Sequence, residues 1–508
     1  LHHDHDNSNE DGTEESFSPD LTDNANNSTK SNTRNTEKST ETNLKQESKQ
    51  NNKIQVPWSY RHSLNAFNLE NDDERLSKSP KTEDEPLSKI SVLDTATPLW
   101  NISYEEELAT KQQESETCLT NVFRSFAKAG DHTFRKVSEK LLPIVPSPVR
   151  KHYRNKCEFT VGFDLNGDVN VGFQAISPDK KRYCVLSPAP CTHLPEMMQR
   201  VVEFFRNYIR LSDLPVYDSR DYSGVWRMLA VRCFRFDVAL VVALHPQNLT
   251  EEELERVKRE LAETLLPPEG TLEHGFRVTS LFLQRIRSNS DPVVYEYVAG
   301  APYVFETLYH ALRFSVSPGA FFQTNSRGAE VLYHEIGKLS KLNKNTLLLD
   351  ICCGTGTIGI SLASKVKYVL GIEIVKAAVK NAQKNATENE LKNCRFVCGP
   401  AENVFSEIQH FLPSDINIED SDCELVGILD PPRGGMPDKL IQAVRKTTHL
   451  KRLIYVSCDP RQATKNFVDL CRPSSNKFPG PQFELDTVLP VDMFPQTKHF
   501  EWIVLFTR

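Results

Sequence analysis

With 508 residues the chain is long enough for two or three domains, and its net charge of −7 sits at the front: residues 1 to 100 carry 19 acidic and 11 basic side chains, which leaves the remainder close to neutral. The composition argues against a secretory signal, a mitochondrial presequence and a membrane span, because residues 1 to 30 are acidic without an apolar core and no run of about 18 apolar residues occurs. The 12 cysteines all fall at or after Cys118 without paired spacing, which argues against a disulfide framework and points to free thiols in the cytoplasm or nucleus.

Residues 1 to 95 are rich in Asn, Ser, Thr, Glu and Lys. Such a segment buries too little to offset its chain entropy, so disorder is expected. Residues 96 to 140 read as a helical connector, led by Trp100 and Tyr104. Residues 141 to 310 change texture. Short alternating runs such as "KCEFTVGFD", "DVALVVALH" and "RVTSLFLQRI" predict strands, and "PEMMQRVVEFFRNYI" and "TEEELERVKRELAETL" predict helices. We expect an α+β domain with antiparallel strands. Within it, "SPVRKHYRNK" packs five basic side chains and a tyrosine into ten residues. It reads either as a solvated turn or as an edge that touches phosphates; a neutral domain can hold a basic groove.

Residues 311 to 508 alternate strand and helix: "TLLLDICC", "YVLGIEI", "CRFVCG", "LVGILD" and "RLIYVS" are strands with helical segments between them. The pattern predicts an α/β fold, a doubly wound parallel sheet with right-handed crossovers. The tail "FELDTVLPVDMF…FEWIVLFT" adds two strands, read as a hairpin edge.

The chemistry gathers in that last region. In "LDICCGTGTIG", Gly354, Gly356 and Gly359 match G-x-G-x-x-G after a strand and before a helix. Such a loop lets a nucleotide-like ligand approach the backbone. Glu373 ends the next strand, where an acid can accept both ribose hydroxyls. A nicotinamide enzyme and an adenosylmethionine enzyme would share these features. Asp350, four residues before Gly354, tilts the choice, because a carboxylate there can reach a cationic methionine end. In "ILDPPRGG" the prolines fix the backbone and aim Asp430 at the crevice where parallel strands end.

In "YVSCDPRQA", Cys458 ends the fifth strand and points at the same crevice. A thiol beside a methyl sulfonium has a specific use. Uracil C5 is a poor nucleophile until a thiolate adds to C6, and a base must afterwards remove the C5 proton. A free thiol has a pKa near about 8.5, so the site must position or activate it. Glu501, in "FPQTKHFEWIVLF", is the candidate base: an acid within an apolar run is either outward-facing or held with a raised pKa.

Together "FFQTN", "LDICCGTGTIG", "GIEI", "ILDPPRGG", "YVSCDP" and "FPQTKHFE" resemble, in that order, the RNA 5-methyluridine methyltransferase family, and the likeness runs from about Thr97 to the C-terminus. The resemblance implies a Rossmann-like class I methyltransferase domain, S-adenosyl-L-methionine as cofactor and tRNA as partner, with 5-methyluridine in the T-loop as product. It implies Cys458 as nucleophile and Glu501 as base. It implies that Gln323, Cys352, Thr357, Glu373, Asn403 and Asp430 line the cofactor pocket and that Arg433 orients the uracil or its phosphate. Asp459 stands where the family has Asn, and only Asn could also donate to the uracil edge. From the basic run, Arg150, Lys151, Arg154 and Lys156 are expected to hold RNA phosphates. Cys157, Cys184 and Cys191 lack the close spacing of the iron–sulfur branch, so no cluster and no other metal is expected, and the chain is expected to act as a monomer. Animal members carry an RNA-recognition module upstream, whose aromatic strand signature residues 1 to 95 do not show. Two rivals remain: an RNA-folding protein with a vestigial centre, and an amino-group methyltransferase, which shares the Asp-Pro-Pro turn but follows it with an aromatic ring where Arg433 stands here.

Overall fold

The computed structural model describes residues 90–508, apart from 134, 178–182, 236, 268–274, 289, 291 and 421. The expected disorder of the leading segment therefore falls outside the described residues up to residue 89. Order begins before Thr97: Val92–Ala96 is a short helix whose Val92 and Ala96 are buried in the core of the first domain.

That domain is a seven-stranded sheet built from β1 (Lys156–Phe163), β2 (Val169–Ile176), β3 (Tyr183–Leu186), β4 (Trp226–Cys233), β5 (Val238–Leu244), β6 (Ser280–Arg285) and β7 (Glu296–Gly300), in the order β3-β2-β1-β4-β5-β6-β7. Its inward side chains alternate with outward ones, as in Phe159 and Val161 or Leu229 and Val231. They pack under the helices Glu196–Leu211 and Glu251–Leu265, which contribute Val201, Phe205, Leu254 and Leu261. The expectation of antiparallel strands needs one correction, because β5 and β6 are parallel. The helix Glu251–Leu265 lies between them in sequence, and parallel neighbours need such a crossover to return the chain.

Next comes a hairpin of β8 (Val304–Leu308) and β9 (Leu312–Val316). Its Val304, Leu308, Phe314 and Val316 pack with the second large sheet rather than the first. That sheet comprises β10 (Thr346–Ile351), β11 (Tyr368–Glu373), β12 (Cys394–Cys398), β13 (Glu424–Leu429), β14 (Leu450–Ser457), β15 (Glu484–Val491) and β16 (Glu501–Thr507), ordered β12-β11-β10-β13-β14-β16-β15. The first five are parallel. β16 runs antiparallel to both β14 and β15. The tail strands do form a hairpin, but β16 is inserted against β14 and only β15 is the edge.

Strands β10 and β13 are apolar almost throughout and buried on both faces, as a parallel sheet sandwiched by helices requires. One face carries the helices Ser326–Leu339, Thr357–Leu362 and Lys376–Glu388. The other carries Asp438–Lys446, Pro460–Cys471 and also Tyr104–Lys128, whose Cys118, Leu119, Val122 and Phe126 join that core. The supposed connector is thus a layer of the second domain. A capping box between Ser103 and Glu106 starts it, and fully buried Trp502 donates its indole N–H to Ser115 Oγ at 3.2 Å.

Candidate active site

The C-terminal ends of β10, β11, β13 and β14 lie side by side along one edge of the sheet, where ligands of open α/β folds bind. After β10 the chain turns through Cys352 and Gly354, at φ +62° and +55°. A Cβ on Gly354 would meet nothing within 4 Å, so the turn leaves open space above it. Two acids hold the turn in shape. Gly354 N–H donates to Glu373 Oε2 at 3.0 Å, and Gly359 N–H donates to Asp350 Oδ2 at 2.8 Å. The second contact leaves Asp350 Oδ1 buried without a partner among the described residues. Burial pushes the Asp350 carboxyl up to about 7 against that one backbone bond, and burial does the same to Asp430. The Cys352 thiol is raised by burial first, then by the fields of Glu373, Asp430, Asp350 and Glu402. The pocket over the glycine turn is therefore walled by acids, which suits a cation and not a phosphate.

Strand register decides the other half of the site. Ser457 at the end of β14 pairs with Trp502 of β16. Cys458 follows Ser457 and Glu501 precedes Trp502, so thiol and carboxyl flank the same end of that ladder, and the field of Glu501 reaches the Cys458 thiol. Glu501 is only 5 % exposed, and burial followed by the field of Asp430 raises its carboxyl well above the usual carboxylate range, while Arg433 pulls it back. The Cys458 thiol is pushed up to about 12 by burial and then by Glu501; the Arg433 guanidinium lowers it through its charge and a hydrogen bond. Arg433 is otherwise exposed. Its loop is pinned from the helix that follows the cysteine: Asn466 Oδ1 accepts from Met436 N–H at 2.7 Å and from Tyr455 O–H at 3.0 Å. A Cβ on Gly435 would fall 2.3 Å from that same oxygen, so only glycine fits there.

The loop leading into Glu501 is fixed by a buried polar cluster. Lys111 Nζ donates to Glu107 Oε1 at 2.7 Å, Asp492 Oδ1 at 2.6 Å and the Phe494 carbonyl at 3.1 Å. Tyr104 O–H donates to Asp492 Oδ2 at 2.8 Å, and Gln496 N–H to Glu107 Oε1 at 2.7 Å.

The model of the tRNA (uracil-5-)-methyltransferase family matches residues 296–508. The human tRNA (uracil-5-)-methyltransferase homolog A is 39 % identical over 439 residues, covering 83 % of this chain and 68 % of the relative. The human homolog B is 36 % identical, covering 82 % and 83 %. The chain belongs to the tRNA (uracil-5-)-methyltransferase family. A solved Pyrococcus abyssi tRNA (uracil-54, C5)-methyltransferase in complex with S-adenosyl-L-homocysteine shares the fold, with a TM-score of 0.58 at 20 % identity, covering 83 % of this chain and 86 % of that one.

Members of this family are S-adenosyl-L-methionine-dependent methyltransferases, and so is this chain. The residues present fit that cofactor. The open space over Gly354, the orphaned Asp350 oxygen and the acidic wall answer an amine, a sulfonium and a ribose. Thr357 lies at the same turn and accepts from Tyr333 O–H at 3.2 Å. Gln323 is buried just before the helix Ser326–Leu339, with its carbonyl held by Asn155. Asn403 is exposed on the first turn of the helix Ala401–Ser406, and its neighbour Glu402, absent from the expected set, adds the smallest of the four acidic fields on Cys352.

The basic run divides. Arg150 is exposed and lies 3.9 Å over the Tyr104 ring. Lys151 is exposed, Arg154 is half-buried and bridges Asn325 through its backbone, and Lys156 is paired with Glu158 at 2.9 Å on β1. Asp459 caps the helix Pro460–Cys471, accepting from Arg461 N–H at 3.1 Å and Gln462 Nε2 at 2.9 Å. Among the described residues no helix is long and apolar enough to cross a membrane.

Proposed function

We propose that this chain methylates C5 of a uridine in tRNA, the T-loop uridine, through a transient bond between Cys458 Sγ and uracil C6 that is resolved by Glu501. The observation that supports the reading is that Cys458 and Glu501 flank the Ser457–Trp502 end of the β14–β16 ladder, with the field of Glu501 and then that of Asp430 acting on the Cys458 thiol. The uridine must first be unstacked, at about a few kcal/mol, offset by phosphate contacts from Arg150, Lys151, Arg154 and Lys156.

Cys458 then loses its proton to solvent at the rim where Arg433 favours the thiolate, and Sγ bonds to C6. The ring electrons move toward C5. Gln323, Asp350, Cys352, Gly354, Thr357, Glu373, Asn403 and Asp430 would hold S-adenosyl-L-methionine, whose sulfonium would give up its methyl group to C5 and leave as a neutral thioether. Glu501 takes the hydrogen from C5, the C6–S bond breaks, the C5–C6 double bond returns, and sulfur leaves as thiolate. One methyl has replaced one hydrogen, and the protein is restored when Glu501 releases its proton. Arg433 holds the base or its phosphate at the mouth, and Asp459, engaged as a helix cap, shapes that mouth. The reading needs no metal or iron–sulfur cluster, treats Cys157, Cys184 and Cys191 as buried core side chains, and has the enzyme acting as a monomer in cytoplasm or nucleus.

The test uses tRNA transcripts carrying tritium at uridine C5. Release of tritium to water in step with methyl incorporation, lost when the T-loop uridine alone is changed to cytidine, is the expected result. Incorporation that persists after that change would remove the T-loop assignment, and incorporation without tritium release would remove the C5 chemistry.

A further inference from the structure

The segment Ala320–Asn325 carries Gln323, which the proposed function sets in the cofactor pocket, yet most of what holds it comes from the first domain. Arg232 of β4 donates Nη2 to the Ala320 carbonyl at 2.8 Å. Asn155 donates Nδ2 to the Gln323 carbonyl at 2.9 Å and to Ser326 Oγ at 2.9 Å, and its backbone N–H donates to the Thr324 carbonyl at 2.7 Å. Arg154 and Asn325 form an antiparallel bridge. Asn325 Nδ2 donates onward to Ser147 Oγ at 3.2 Å and to the Met493 carbonyl at 3.0 Å. The basic run from Ser147 to Lys156 is thus joined by a short backbone ladder to the strip that carries Gln323, and through Asn325 to the loop that leads to Glu501.

Two features show that these donors are kept in spite of a cost. Asn155 is 4 % exposed and its Oδ1 has no partner among the described residues. Arg232 is also 4 % exposed, its Nη1 is likewise unpaired, and it lines a cavity of about 20 Å³ with Lys156, Glu158, Gln284 and Tyr295. A buried guanidinium and a buried amide with orphan atoms are expensive ways to fill a core. What they supply is three donors aimed at one strip of main chain. The same strip is backed by Tyr295, whose ring would lie 2.5 Å from a Cβ on Gly319.

We propose that Asn155 and Arg232 are positioning residues and that this strip couples the two binding sites: RNA on the basic run and cofactor beside Gln323 each tighten the other's binding. The inference rests on the reading above that the basic run holds RNA and Gln323 lines the cofactor pocket. Neither Asn155 nor Arg232 touches the reacting atoms. They act through main-chain carbonyls, and coupling through such contacts must be reciprocal.

The test measures S-adenosyl-L-homocysteine affinity by calorimetry on the full chain, alone and saturated with unmethylated tRNA transcript, and tRNA affinity with and without S-adenosyl-L-homocysteine. The wild type should show the same factor both ways, at least about 5-fold. In Asn155→Ala and Arg232→Met the factor should fall to within twofold of one, whereas Arg232→Lys, which keeps a donor for Ala320, should retain most of it. A wild-type factor of one overturns the proposal outright, whatever the variants do. So do variants that weaken either ligand yet keep the wild-type factor, since that is what a merely structural role predicts. Wild-type protein that methylates tRNA without coupling sinks only this inference; protein that neither binds nor methylates tRNA sinks the proposed function with it.

Discussion

The two seven-stranded sheets use their strands differently. In the second, parallel strands end together along one rim, and four of the five bring a candidate residue there: Asp350, Glu373, Asp430 and Cys458 all stand at or next to such ends. In the first, mostly antiparallel strands deliver main-chain clamps and a basic run to the neighbouring domain rather than a reaction centre. The difference teaches that chemistry clusters where strand direction is shared, while grip is spread along connections. Substitutions at the second sheet should therefore strike the chemical step, and those in the basic run should strike binding.

The largest effect is expected at the strand end of β14. Cys458→Ala should lower kcat by at least about 10⁴-fold while S-adenosyl-L-homocysteine affinity, measured by calorimetry, stays within threefold. A comparable loss of cofactor affinity would show that the thiol serves binding. Lys111→Met comes next, on stability rather than chemistry. It leaves Glu107 and Asp492 buried without their cation and should cost about 3 to 5 kcal/mol in denaturant unfolding. An unfolding midpoint like the wild type's would mean the cluster does not organise the Glu501 loop.

The acid wall makes a pH prediction of intermediate size. Asp350 and Asp430 titrate near 7 when buried, well above their range in an unfolded chain. In the window from about 4 to 7 the folded state therefore binds more protons than the unfolded one, so their contribution to stability falls as pH rises through it. A bound cation favours the ionised forms. The thermal shift given by S-adenosyl-L-methionine should thus be larger at pH 8 than at pH 6, and equal shifts would remove the acids from the cofactor site. The smallest effect is expected in the first domain. Lys151→Ala should raise KM for tRNA severalfold, leave kcat unchanged and reduce the slope of log affinity against log salt by about one. A lowered kcat with an intact salt slope would break the division between the sheets.

Much of the second sheet was legible in the sequence because its signals are local. Buried strands read as apolar runs, and glycine and proline mark their ends, so Asp350, Glu373, Asp430 and Cys458 can be set on one rim from the sequence alone. The pairing that brings Glu501 near Cys458 could not, since it depends on β16 inserting between β14 and β15. The first domain was read less well. The parallel β5–β6 pair looked like any other strands, and β3 and β7 were too short or too polar to stand out. Lys111 was invisible as a structural residue because its partner Asp492 lies 381 positions away, and Asn155 likewise reaches Gln323 across 168. No periodicity encodes such contacts.

The most direct trial of the central claim is a denaturing gel of Glu501→Gln protein mixed with unmethylated tRNA and S-adenosyl-L-methionine. A carboxamide cannot take the C5 hydrogen, so the C6–S bond should persist and a retarded protein–RNA band should appear, absent when Cys458→Ala is added to the same chain. Loss of turnover in Glu501→Gln with no such band, or a band that survives without the Cys458 sulfur, would contradict it.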